Sequence, residues 1–75
     1  MSYRELESVV LERDIPEHGL RKGDLGAVVL VHDSGDIEVE FLRASGFTQA
    51  LLELRASDVR AARDEDILAV RRTDE

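Results

Sequence analysis

The 75-residue chain carries 17 acidic and 10 basic side chains, a net charge of −7, and no cysteine. A chain this short makes one domain with a small core, burying only about 60% of the surface its unfolded form exposes. The lack of cysteine excludes disulfide frameworks, thiol catalysis and cysteine-based zinc sites. The acidic balance works against a nucleic-acid backbone, which is bound by Lys and Arg displacing counterions. No apolar run approaches the roughly 18 residues of a membrane helix, and Met1 to Glu5 has none of the apolar stretch of a signal peptide. These features fit a cytoplasmic protein forming a single domain over residues 1–75.

Taken in chain order, Val9-Val10-Leu11 is the first apolar run, and its β-branched neighbours favour a strand. Ile15 to Leu20 breaks it, because Pro16 removes a backbone donor and Gly19 accepts positive φ. Arg21-Lys22-Gly23-Asp24 is a second turn, leading into the strand Ala27 to His32, the most apolar in the chain. Asp33-Ser34-Gly35-Asp36 has the chemistry of a tight turn. Beyond it, Asp36-Ile37-Glu38-Val39-Glu40-Phe41 alternates strictly, with Ile37, Val39 and Phe41 on one face and Asp36, Glu38 and Glu40 on the other. The two strands therefore predict an antiparallel hairpin from Ala27 to Phe41.

After the turn Arg43 to Gly46, the stretch Phe47 to Leu54 reads as a fourth strand, with Thr48, Ala50, Leu52 and Leu54 inward. Helix competes here, since Ala, Leu and Glu are good helix formers, but position between turns after a hairpin favours a strand. Ser57-Asp58 offers N-cap chemistry for a short helical turn over residues 57–63. Asp64-Glu65-Asp66 interrupts it, and Ile67-Leu68-Ala69-Val70 is expected to supply the last strand, within 67–71, with Val59-Arg60-Ala61 as the competing segment. The expected fold is mainly β: five short strands in a small, strongly bent antiparallel barrel.

The run from Val9 to Val29, with its apolar strand, Asp14-Ile15-Pro16-Glu17 loop, Gly19-Leu20 and Lys22-Gly23-Asp24-x-Gly26, resembles the opening of the bacterial family called domain of unknown function 4926. Val39-Glu40-Phe41, Thr48, Ala50 to Leu54 and Ser57 to Arg60 extend the resemblance over residues 6–60. It implies an SH3-like barrel, and it implies that residues 61–75 are a C-terminal extension. It implies no activity. The Lys22-Gly23-Asp24-x-Gly26 segment also resembles the KOW-type turn of ribosomal and transcription-factor barrels, which implies RNA contact through Arg21 and Lys22. A structural turn explains the same residues, since its glycines permit a sharp reversal and Asp24 accepts turn amides.

Catalysis requires an acid–base pair or nucleophile in a site that excludes water. His18 lies in a Pro-Gly loop and His32 at a strand end, both expected in solvent, and the adjacent His32, Asp33 and Ser34 would point to different faces rather than form a triad. Neither Asp33 to Asp36 nor Asp64 to Asp66 has the twelve-residue ligand spacing of an EF-hand. No enzyme activity, cofactor or metal is therefore expected. Protein binding remains as the leading class. Asp36, Glu38 and Glu40 form one acidic strand face, with Phe47 and Leu51 as an apolar patch. That combination points to an unidentified protein partner of basic character, as for an antitoxin or immunity protein. A KOW-like nucleic-acid module or an accessory barrel subunit of a larger enzyme are the alternatives, and monomer and homodimer are both open.

Overall fold

The computed structural model describes residues 3–73. Its strands are β1 (Ser8–Leu11), β2 (Leu25–Val31), β3 (Ile37–Leu42), β4 (Thr48–Leu54) and β5 (Val59–Ala61), with single 3-10 turns at Pro16–His18 and Ala56–Asp58. All pairings are antiparallel, in one sheet of order β4-β3-β2-β1-β5. The two end strands, β4 and β5, are not hydrogen-bonded to each other, so the sheet is open rather than closed into a barrel.

A single sheet without a covering helix can bury an apolar face only by curling over it. Here every strand contributes to one core: Val9, Leu11, Val28, Ile37, Val39, Phe41, Ala50, Leu54 and Val59. The alternation read from the sequence produces this directly, since β3 is buried at Ile37, Val39 and Phe41 and only partly covered at Glu38 and Glu40. The loop between β1 and β2 closes one side with Ile15 and Leu20, which bridge each other and sit in the core. Tyr3 closes another, its hydroxyl donating to the Val59 carbonyl at 3.3 Å. Burial, reinforced by the charges of Glu7 and Glu12, raises the Tyr3 phenol above its ordinary value.

The hairpin from Ala27 to Phe41 forms as expected, with Gly35 at φ 94° and the Ser34 hydroxyl accepting the Asp36 amide at 3.3 Å. Two register shifts bend the sheet, one between Val28 and Leu30 in β2 and one where Gln49 is passed over between Phe41↔Ala50 and Leu42↔Thr48. Gly26 lies where the side chains of β3 approach the β2 backbone most closely among the glycines. A Cβ there would meet Val39 Cγ1 at 2.6 Å and Phe41 Cε1 at 2.9 Å.

The C-terminal third departs from expectation twice. The helical turn is confined to Ala56–Asp58 rather than 57–63, because Val59 to Ala61 is drawn into the sheet. The last strand is that same Val59–Ala61 and not 67–71, where no strand forms. The reason is where the turn places the chain. The Ala56–Asp58 turn delivers the chain beside β1, with the Glu12 amide donating to the Asp58 carbonyl at 2.8 Å, and Val59, Arg60 and Ala61 pair with Leu11, Val10 and Val9. That edge of β1 is therefore occupied by Val59 to Ala61 and not by the more apolar Ile67 to Val70.

Candidate functional site

The convex outer face of β2, β3 and β4 is where the chain leaves chemistry uncovered. Its rows follow from register: Ala27 pairs with Glu40 and Glu40 with Leu51, while Leu30 pairs with Glu38 and Glu38 with Glu53. Leu42, Phe47 and Leu51 are all more than half exposed, at 56%, 62% and 54%. Apolar and acidic side chains therefore alternate across a rigid sheet. An exposed apolar cluster bordered by charge is the usual character of an interaction surface.

The predicted site residues fall into two groups. Glu38, Glu40 and Leu51 share this face, while Asp36 stands at the head of β3 in the turn, its carbonyl accepting the His32 amide at 2.8 Å. Phe47 sits just before β4, under the Arg43 guanidinium, which is 4.9 Å from the ring centroid. Arg43 also donates to Gln49 at 2.7 Å, so it does not oppose the glutamate row as the cross-strand neighbour of like charges would. The Glu40 carboxylate accepts instead from the Thr48 hydroxyl at 2.7 Å. Arg21 and Lys22 lie in the turn before β2. Their backbone amides donate to Asp24 and Asp14 at 2.8 Å each, which sets two carboxylates beside the two basic side chains.

Sequence reasoning placed His32 in solvent. The structure instead places it half-buried against the acidic face, with Nε2 2.9 Å from Glu38 Oε2 and 3.8 Å from Glu53 Oε1. Its neighbours Asp33 and Ser34 take no part, and Ser34 is engaged with the turn, so the three form no triad. Glu53 was legible only as a residue on the outward face of β4. Its position directly opposite Glu38 depends on the strand register.

A second feature is built by the residues after β5. Arg60 donates to both Asp66 oxygens at 2.9 Å and pairs with Glu12 at 3.4 Å. These hydrogen bonds from Arg60, with the Arg63 amide, hold the Asp66 carboxyl down at about 2. Arg71 grips both oxygens of Asp24 and donates to the Gly19 carbonyl at 2.9 Å. Beside the Arg71–Asp24 anchor the chain bounds an open groove of about 820 Å³ whose walls include Leu25, Ala27, Glu40, Leu42, Val70 and Arg71. The Ala56–Asp58 turn is fastened separately: Arg13 donates to Asp58 at 2.9 Å and so does the Arg55 amide. Burial alone would raise the Asp58 carboxyl, but these hydrogen bonds outweigh it and lower the value.

The fold and this surface define a small all-β domain with an open, curled sheet and no helix long and apolar enough to cross a membrane among the described residues. Residues 5–61 match the family described as Domain of unknown function (DUF4926), and the chain belongs to that family. No curated protein and no solved structure matches it. The matched segment ends with β5, so the two Arg–Asp anchors tie residues beyond the family domain back onto it.

Proposed function

We propose that this domain is a non-enzymatic binding module for a basic protein partner, acting as an antitoxin or immunity protein does by occupying its target. The observation that carries the reading is the outer face of β3 and β4, where exposed Leu42 and Leu51 lie among Glu38, Glu40 and Glu53, with exposed Phe47 just before β4. The arginine ion pairs of the described residues go to Asp58, Asp66, Glu12 and Asp24 rather than to this row. A partner bringing Lys or Arg with an apolar anchor would satisfy both halves of the surface. The sheet order and the 3-10 turn before the last strand support an SH3-like scaffold, and an acidic total of −7 adds long-range attraction for a basic target.

The test is affinity purification from the native cell with wild type, Glu40→Lys and Leu51→Asp chains. A basic protein retained by wild type, released by salt and lost with either substitution supports the reading. Retention of the same partner by both variants overturns it. RNA retained by wild type and lost with Arg21→Ala and Lys22→Ala would replace it with the KOW-like alternative.

A further inference from the structure

We infer that His32, Glu38 and Glu53 form a binding site for one divalent transition-metal ion of borderline softness, such as zinc. Nε2 of His32 and one carboxylate oxygen from each glutamate lie within 4.8 Å of one another. Two ligands about 2.0–2.1 Å from a tetrahedral ion are separated by about 3.3 Å, and the imidazole-to-carboxylate distances of 2.9 and 3.8 Å bracket that spacing. Closing the triangle requires movement of one side chain. The one that must move is Glu53, whose side chain is 61% exposed and free to do so, against 34% for His32 and 30% for Glu38.

The scaffold is suited to the task. Three adjacent strands present the donors: His32 directly follows β2, Glu38 is in β3 and Glu53 in β4. Glu38 and Glu53 are register partners, and like charges placed directly opposite each other destabilise a sheet unless a cation lies between them. His32 meets that need only when protonated. A neutral imidazole leaves two negative charges, which a divalent ion cancels. One nitrogen and two carboxylate oxygens match the preferences of zinc and its neighbours, whereas calcium takes six to eight oxygens. Water would complete the coordination. The site shares Glu38 and Glu53 with the proposed docking face, whereas Glu40 and Leu51, the positions substituted to test that face, are outside it.

The imidazole nitrogen that hydrogen-bonds Glu38 is the one that would face the ion, so it must carry no proton when metal is bound. A neutral ring shifts its proton to Nδ1, and a protonated ring releases one to solvent.

The experiment is calorimetric titration of the tag-free chain with zinc chloride, beside ¹⁵N detection of the histidine ring nitrogens. Expected are one equivalent of zinc bound, a shift of His32 Nε2 without a shift at His18, and a higher thermal midpoint with zinc present. His32→Gln and Glu53→Gln should each weaken binding by at least about tenfold, since loss of even an outer-shell partner costs that much. His18→Gln should leave it unchanged. No binding at about 1 mM zinc, a concentration that corresponds to only about 4 kcal/mol, overturns the proposal. Equal affinity in wild type and both ligand variants overturns it too, because the ion then sits elsewhere.

Discussion

Two apolar runs of similar length meet opposite fates in this molecule. Val9-Val10-Leu11 lies between two partner strands and is buried throughout, with Val9 and Leu11 fully enclosed. Ile67-Leu68-Ala69-Val70 has no strand partner, and its large side chains are 92%, 73% and 98% exposed. Apolar composition does not separate them. Partners for the backbone do, because a strand enters a sheet only where an unpaired edge awaits it. The first run is held by ladders and core contacts. The second is held at its ends, by Arg60 on Asp66 and Arg71 on Asp24.

The contrast can be broken at several points. Leu11→Ala should have the largest effect, a loss of about 2–5 kcal/mol, because the cavity it leaves lies at the centre of the core. For a domain this small that approaches the whole folding free energy of roughly 0.05–0.15 kcal/mol per residue. Urea denaturation followed by circular dichroism measures it. Gly26→Ala should cost about 1–3 kcal/mol in the same assay, since its methyl must displace the buried Val39 and Phe41 side chains.

Arg71→Ala tests the anchors. It removes charge-assisted hydrogen bonds to Asp24 and one to Gly19, all partly shielded from water, and should cost about 1 kcal/mol. Hydrogen exchange is the sharper readout: amides of residues 67–72 should exchange faster, while those of β1 stay protected. The second anchor has a pH signature. Asp66 titrates at about 2 in the folded chain against an ordinary 3.8, so its stabilisation is complete above the higher value and is lost as pH falls through the lower one. Thermal midpoints of wild type and Asp66→Asn should therefore differ by a constant amount from about pH 7 to about pH 5 and converge toward about pH 2. Leu68→Ala should have the smallest effect, within about 0.5 kcal/mol, although it deletes the same atoms as Leu11→Ala. Equal losses from the two leucine variants would overturn the comparison.

The candidate docking face was partly legible. Strict alternation in Asp36 to Phe41 set Glu38 and Glu40 outward, and Leu51 stood on the same outward set of β4 as Glu53. The triad of donors was not legible. His32, Glu38 and Glu53 are separated along the chain, and only the pairing of β3 with β4 sets Glu53 opposite Glu38. A register one residue different would turn Glu53 to the other face. Tyr3 was missed for a similar reason, since its place in the core depends on contact with Val59, 56 residues away.

The sequence by itself determined the local elements: the hairpin through Gly35, the alternating faces of β3 and β4, the Pro16–Gly19 turn and an acidic surface. These depend on side-chain period and on the φ angles that glycine and proline permit, which are properties of a few neighbouring residues. Tertiary structure alone decided which of two segments became the last strand, that the sheet stays open, and which acidic groups face one another. Those outcomes turn on competition for a single backbone edge beside β1, and on the register between β3 and β4. Both are settled between residues far apart in the chain, where burial of Val59 against Leu11 and Tyr3 outweighs the greater apolarity of Ile67 to Val70.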